Sequence, residues 1–557
     1  MTDEPPGPPS AGPDEGELVG DGAPVLPAGL GRSAAVMAVG TALSRITGLG
    51  RLAALVYALG VTESRLADSY NIANTMPNIL YELVLGGVLS SVFIPVVVEQ
   101  LRTRKPREAD DAISAMATTA MVLLVVLSAV TVVAAPWVIK LFTLRVSGPE
   151  AAQQQELATF FLRFFAPQIA FYGYAAIAGG LLNAHHRFAV PMFAPILNNV
   201  VVIATFLAFA ATFGSSASDA AVANDTGAKL LLALGTTGGV AAMALAHWPY
   251  VRKLPTRLRF RPNFRHPAVR KLAGLSSWTL GYVVANQVGL GIGLVLANGV
   301  QGGPTAFFTA FAFFQLPYGI AAVSIMTALS PRMAAQAVDG DDGAFAASVA
   351  GGIRALGLVM LPATAAYLAL ARPLISTLLE HGVVSAGSSE LLARMLQMFA
   401  LGLLPFSLFL LFLRAFYARQ DARTPMLVNL VLNAVFIGAT LALFPALDVR
   451  GLALAHSLCY LAGAVVAGRL LSRRVGGLRL APVTPVLARV AVAAALAGAA
   501  MALVVGQLDR DVLQLAAGGL AGAVVFVGAC RLLGVDDLGD MGRILLRRGP
   551  VSGASGS

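Results

Sequence analysis

Residues Ala112–Ile139 read AISAMATTAMVLLVVLSAVTVVAAPWVI, a run without one charged side chain. About 20 helical residues cross a ~30 Å hydrocarbon core, and this run exceeds that length. Working outward, the same pattern recurs along almost the whole chain. Spanning segments are expected at roughly 33–60, 67–100, 110–140, 157–184, 188–213 and 228–250, then 268–299, 304–335, 345–371, 390–418, 424–445 and 450–472. Two more are expected near 483–507 and 512–534. Hydrophobic residues make up 57% of the chain and charged residues 12%, with a mean hydropathy of +0.75. A soluble protein carries about twice that charge, so a soluble multidomain chain is excluded. The reading is an all-α polytopic membrane protein with about fourteen transmembrane helices.

The net charge of +10 does not mark a nucleic-acid surface, because the cations lie in short loops between apolar segments. One set of loops carries Arg102, Arg104, Lys105 and Arg107, then Arg187, then a dense run from Arg252 to Lys271. It continues with Arg332, Arg419, Arg423, Arg473, Arg474 and Arg479, and then Arg543, Arg547 and Arg548. The alternate loops hold Glu63, Glu150, Asp219, Asp225, Glu380, Asp448, Asp509 and Asp511. The positive-inside rule then expects both termini in the cytoplasm, which requires an even number of spans. Residues 1–32, rich in Pro, Gly, Asp and Glu, read as a disordered cytoplasmic tail and not as a secretory leader. Residues 536–557 read as a second cytoplasmic tail. Cys459 and Cys530 sit in apolar stretches and read as buried thiols.

A weak internal repeat sets Ala184, Pro191-Met192 and Asn199 against Ala418, Pro425-Met426 and Asn433 at identical spacing. Each copy leads into the fifth span of a set of six. Two pseudo-symmetric six-helix lobes of like orientation are expected, followed by two extra C-terminal helices. The divisions are 33–250 for the first lobe, 251–271 for a basic cytoplasmic linker, 268–473 for the second lobe and 483–535 for the last helix pair.

Charge inside a span costs about 2.5 kcal/mol upward at the bilayer centre, so such residues should face a cavity or a partner. The first span holds Arg45 and Arg51 in Ser44-Arg45-Ile46-Thr47-Gly48-Leu49-Gly50-Arg51. Six residues make ~1.7 turns, which places the two guanidinium groups on different faces of a straight helix. The glycines permit a bend that would aim both at one space. An arginine fork suits phosphate through paired, charge-assisted bonds. In the second span Asn71, Asn74, Asn78 and Glu82 form one polar stripe, open to a cavity or to helix–helix bonding. Asp68, near the outer end of that span, is positioned to pair with an arginine as a gate latch, or to serve as an ordinary helix-start acid. Weaker cavity candidates are Asn286, Gln287, Gln315 and Arg414; Arg163, Asn183, Asn198 and Arg354 are further polar groups in or near spans. The acid runs Asp110-Asp111, Asp339-Gly340-Asp341-Asp342 and Asp536-Asp537 read as turns and caps, so no metal is expected. No GxxxxGK[ST] loop is present, so no built-in ATPase or cofactor is expected.

Three stretches carry a family resemblance. The first runs from Ser44–Arg51 through Ala67-Asp68 and Met76-Pro77-Asn78-Ile79-Leu80 to Ser91-Val92-Phe93-Ile94-Pro95. The second is Gly180-Leu181-Leu182-Asn183-Ala184-His185-His186-Arg187-Phe188, leading into Pro191 and Ala194-Pro195; the third is Phe416–Pro425. Their order and spacing, over nearly all of 33–535, resemble the MurJ (MviN) lipid II flippase family of the multidrug/oligosaccharidyl-lipid/polysaccharide exporter superfamily. The resemblance implies a transporter of the bacterial plasma membrane, not an enzyme, that moves lipid II outward by alternating access for peptidoglycan synthesis. It implies a central cavity, and a groove along the last two helices for the polyprenyl tail. It assigns Arg45 and Arg51 to the cavity arginines and Asp68 to the second-helix acid. The partners it implies are lipid II, membrane lipids and cell-wall synthesis or division proteins. Two positions depart from the family: Tyr81 and Ala312 stand where many members carry arginine, and Gln315 where glutamate is frequent. The spans 272–298 and 424–445 lack acids, which argues against a sodium site there. The rival readings are an exporter of another polyprenyl-linked glycan or of drugs, and a degenerate flippase acting as a cell-wall scaffold. An intramembrane enzyme acting on polyprenyl phosphates would need clustered carboxylates or histidines, which the short loops lack.

Overall fold

A computed structural model describes residues 28–83, 93–214, 219–478 and 481–535, with side chains omitted at 28–38, 219–220 and 272–279. The expected tails fall outside these ranges apart from residues 28–32, as do Ser91, Val92, Arg479, Asp536, Asp537 and the arginines from 543 onward. Every regular element among the described residues is helical. In chain order the helices are α1 (Ala28–Leu59), α2 (Leu66–Tyr81), α3 (Ile94–Thr103), α4 (Pro106–Phe142), α5 (Pro149–Phe165), α6 (Gln168–Ala184), α7 (Ala189–Phe213), α8 (Asp219–Asn224), α9 (Thr226–Leu245) and α10 (Trp248–Val251). They continue with α11 (Pro267–Ala297), α12 (Gly303–Pro317), α13 (Val323–Val338), α14 (Asp342–Leu379), α15 (Ala386–Ala400), α16 (Leu403–Ala418), α17 (Arg423–Leu447), α18 (Val449–Arg474), α19 (Val483–Val505) and α20 (Asp511–Leu532).

Twelve helices, or helix pairs read as one span, are long and apolar enough to cross a membrane, and α15 with α16 makes a thirteenth that bends by 46°. The remaining expected span, 67–100, is helical on both sides of the undescribed residues 84–92, as α2 and α3. On α4, Val126, Val130, Val133, Trp137 and Leu141 form one exposed stripe, each 54–68% accessible. A stripe of that size is stable only against lipid. The chain is a multi-pass membrane protein.

Several spans are broken where one straight helix was expected. Pro167 has no N–H to donate, and the fourth span turns there from α5 to α6. Pro317 ends α12 in a π turn over Tyr318–Ala322, which widens the backbone before α13 resumes.

Helix packing repeats between the lobes. α1 packs on α7 and α7 on α9; α11 likewise packs on α17 and α17 on α18. α2 meets α5 and α4 meets α6; α12 meets α15 and α14 meets α16. The two copies of the sequence repeat make the same turn. His186 and Gln420 both sit at left-handed φ, 58° and 57°. The next N–H closes each turn, Arg187 onto Leu182 at 2.8 Å and Asp421 onto Phe416 at 3.0 Å. Asn199 donates to Ser44 O (3.2 Å) and Thr47 Oγ1 (3.0 Å) on α1, and Asn433 donates to Asn286 Oδ1 (2.9 Å) on α11. In each lobe the repeated asparagine thus ties the fifth span to the first. α19 and α20 pack on each other and on α14, outside the two sets of six.

Candidate functional site

The site lies where the two lobes face each other, along α1 and α2 of the first and α11 to α13 of the second. α1 continues as one helix from residue 28 to 59, across its glycines. Gly40 and Gly48 are used for packing: a Cβ at 40 would stand 3.0 Å from Met192, and one at 48 would stand 3.8 Å from Asn199. The two arginines diverge. Arg45 crosses to the second lobe and lies against the π turn, where a Cβ at Gly319 would be 2.0 Å from its Nη1. Arg51 turns into the first lobe, within electrostatic range of the Tyr70 and Tyr172 hydroxyls. Both are half-buried, and neither has a carboxylate partner among the described residues. Where one shared space was expected, Arg45 lies against the second lobe and Arg51 beside tyrosines of the first.

The polar stripe of α2 faces the second lobe. Asn71 Nδ2 donates to Thr305 Oγ1 at 3.0 Å, and Gln287 Nε2 donates to Glu82 Oε2 at 2.6 Å. Between these two bridges, Asn78 is exposed and reaches only Glu82, at 3.5 Å, while Asn74 Oδ1 has no partner. The stripe thus bonds across the seam at both ends and leaves one amide oxygen, Asn74 Oδ1, unpartnered between them. Arg414 approaches from α16: its Nη1 is 3.4 Å from Ser330 Oγ, and with Arg45 it lies in range of the Tyr318 hydroxyl. Gln315 is half-buried on α12. Asn286 is engaged inside its own lobe by Asn433 and does not join the seam.

Asp68 is fully buried; of the two expected roles, arginine latch or acid at the start of its own helix, it sits in the first turn of α2 and its carboxylate binds the start of another helix. Its Oδ2 accepts from Gly302 N at 2.7 Å; its Oδ1 accepts from Thr305 N at 3.2 Å and Thr305 Oγ1 at 2.7 Å. The carboxylate caps α12 of the other lobe, where free N–H groups and the helix dipole favour an anion. Arg65, three residues earlier, reaches Glu150 at 3.0 Å and Asn298 O at 3.1 Å. A second carboxylate repeats the arrangement. Glu63 Oε1 accepts from Ser385 N at 2.8 Å and Ser388 Oγ at 2.7 Å, at the start of α15. Burial pushes its carboxyl up, but bonds from Ser388, Ser385 and Val61 outweigh that and hold it below the usual carboxylate range. Gly302, at φ 78°, lets the lobes touch: a Cβ there would be 2.6 Å from Val61 O. One end of the seam, carrying the turns near 62 and 302, is therefore knitted shut.

Glu63, Gly302, Gly319 and Ser388 were not singled out from sequence. Glu63 read only as a topology acid. The Pro317-x-Gly319 turn was visible, but nothing local tells that an arginine from another helix lies on it.

The family model described as lipid II flippase MurJ matches residues 55–513, most of the chain, starting just beyond Arg51. The Burkholderia cenocepacia protein (strain J2315), named lipid II flippase MurJ, is 29% identical over 411 residues, 71% of this chain and 76% of its own. The Rhizobium meliloti (strain 1021) protein, named probable lipid II flippase MurJ, is 28% identical over 469 residues, 84% of this chain and 85% of its own. A solved lipid II flippase MurJ in an inward closed conformation shares the fold, with a TM-score of 0.73 and 20% identity over 90% of this chain and 100% of that one. An inward-facing MATE family multidrug transporter of the MOP superfamily also matches, with a TM-score of 0.63 and 14% identity over 78% of this chain and 95% of that one. With a family model covering this much of the chain, and relatives aligned over most of their length, the chain belongs to the MurJ lipid II flippase family.

Proposed function

We propose that this chain moves lipid II from the inner to the outer leaflet of a bacterial plasma membrane by alternating access, with both termini cytoplasmic. The observation that carries the reading is Arg45: a guanidinium from the first lobe resting on Gly319 of the second, without a carboxylate partner among the described residues. An unpaired cation inside a membrane seam is costly unless an anion completes it. A diphosphate with oxygens on several sides suits a fork open in this way. Asn74, with an unpartnered Oδ1, and Asn78, held by one long bond to Glu82, are the amides for the sugar–peptide head, and Arg414 adds a second cation beyond Tyr318. Arg51 acts from further inside the first lobe. The polyprenyl tail stays in lipid beside α19 and α20, whose Leu503 and Leu520 are 71% and 68% exposed.

With the basic loops in the cytoplasm, the end closed by Asp68 and Glu63 faces outward. Release to the outer leaflet then requires those caps to break while the lobes, 33–250 and 268–473, rock apart. Moving one charge through 100 mV is worth about 2.3 kcal/mol, enough for the membrane potential to bias that step.

The test is complementation of a strain depleted of its lipid II flippase, with outer-leaflet lipid II read by labelling. Growth with labelled lipid II supports the proposal. Normal insertion without rescue would favour a scaffold, and rescue of a different glycolipid pathway would reassign the substrate.

A further inference from the structure

Between α10 and α11 the chain joining the lobes reads RLRFRPNFR over residues 257–265. Arginine occupies 257, 259, 261 and 265, and large apolar residues occupy 258, 260 and 264. Polar and apolar residues alternate over 257–263, which are neither helical nor turned, and a turn follows in which His266 N donates to Asn263 O at 3.2 Å. The N–H groups of Arg259, Arg261 and Asn263, on alternate residues and so on one edge, donate to Ser114 Oγ (3.0 Å), Thr118 Oγ1 (3.3 Å) and Thr119 Oγ1 (2.9 Å) of α4. The segment is held edge-on against one helix, and among the described residues its apolar side chains are left partly to largely uncovered. Leu258 is 39% exposed, Phe260 74% and Phe264 55%.

The length of α4 gives the depth. Its 37 residues measure about 55 Å against a ~30 Å core, so about 17 residues project beyond it. The lipid-facing stripe from Val126 to Leu141 places the projection at the N-terminal end, which sets Ser114–Thr119 at headgroup level. Trp248 and Tyr250, exposed just before the segment, belong to the same aromatic belt. Arg261 pairs with Asp111 at 3.0 Å, whereas the side chains of Arg257, Arg259 and Arg265 have no partner among the described residues.

We propose that residues 257–265 form an interfacial strap, with Leu258, Phe260 and Phe264 inserted in the leaflet and the arginines on phosphates of anionic phospholipids. The strap ties the hinge between the lobes to the membrane surface. It rests on the chain's spanning a bilayer and not on what the chain transports. Nucleic acid would match the arginines alone and leave the phenylalanines in water.

The test uses full-length protein in nanodiscs of phosphatidylcholine with 30% phosphatidylglycerol, or of phosphatidylcholine alone. Phe260→Cys and Arg259→Cys are labelled with an environment-sensitive dye; Cys459 and Cys530 are buried. At 260 we expect blue-shifted emission quenched by shallow doxyl lipids, and at 259 quenching by aqueous iodide. Removing phosphatidylglycerol, or combining Arg257→Gln with Arg265→Gln, should lower the lipid quenching at 260 at least twofold. Equal iodide quenching at both positions, or lipid quenching indifferent to phosphatidylglycerol, would overturn the strap. The lipid comparison needs no second mutation, so a folding defect cannot mimic the result.

Discussion

The first spans of the two lobes, α1 and α11, share a packing plan and differ in charge. Gly40 meets Met192 and Gly281 meets Met426, each at 3.0 Å from a built Cβ; Gly48 lies against Asn199 and Gly289 against Asn433. In that register Gly48-Leu49-Gly50 overlies Gly289-Leu290-Gly291, Arg45 falls on Asn286 and Arg51 on Ile292. The backbone plan is kept and the cations are not. The amide at 286 turns inward to its own lobe, while the guanidinium at 45 reaches across. The contrast extends along the seam. The first lobe supplies Arg45, Glu63, Arg65, Asp68 and Glu82, and the second answers with backbone N–H groups, a backbone carbonyl, Gln287 and a bare glycine. Only Lys271–Glu99, at the basic end, puts charge on both sides among the described cross-lobe pairs. Arg414 and Lys271 apart, the seam charges sit on one lobe, so opening leaves few uncompensated ions on the other surface, which suits a seam that must open.

The largest effect is expected at the point of sharpest contrast. Arg45→Ala should abolish complementation of the depleted strain while the protein still inserts, and Asn286→Arg in the same chain should not restore it. Rescue by Asn286→Arg would mean that only total cavity charge matters and would collapse the distinction between lobes. Gly319→Leu comes next. Its side chain must displace the guanidinium, so transport should fall at least tenfold with little change in folded yield, and Gly319→Ala should fall less.

This contrast also marks where sequence reading stops. Apolar length alone located the spans, because a bilayer imposes one requirement on every crossing helix. The repeat at Asn199 and Asn433 was legible because both copies kept residue type and spacing. Arg45, Asp68 and the α2 stripe stood out because polar groups in lipid are costly. Of their partners only Gln287, which bonds Glu82, stood out. Gly302 and Gly319 matter for lacking a side chain, and Ser385 for its backbone N–H, so composition carries no trace of either. That Arg45 reaches Gly319 of the second lobe while Arg51 lies near Tyr70 and Tyr172 of the first is a matter of helix packing that the local sequence does not state.

The closed end offers intermediate effects. Asp68→Asn leaves buried α12 N–H groups short of an acceptor, a loss of about 1–3 kcal/mol. Cysteine accessibility on the outward side of α12 should rise and thermal stability should fall. A loss of transport with neither change would return Asp68 to the substrate. Glu63 gives the pH form of the same test. Its carboxyl is held below the usual range only while it caps α15, so closure favours the ionised group. That contribution is complete above the ordinary carboxylate pKa of about 4.3 and is lost as pH falls through the depressed value. Crosslinking between residues 62 and 386, as Thr62→Cys with Ala386→Cys, should weaken on acidification below about 4, and Glu63→Gln should be weak at every pH.

The smallest effect tests the shared plan itself. Asn199→Ala and Asn433→Ala each remove one interspan tie, and intramembrane hydrogen bonds average about 0.6 kcal/mol. If the lobes are equivalent as scaffolds, the two losses in thermal stability should be alike. Transport should differ all the same. Asn199 holds Ser44 and Thr47 on either side of Arg45, so its removal frees the arginine to leave Gly319. Asn433 holds Asn286, which takes no part in the seam, and Asn429 O on its own helix. Equal stability with transport lowered only by Asn199→Ala would place the asymmetry in the chemistry of the first lobe; equal transport would move it elsewhere.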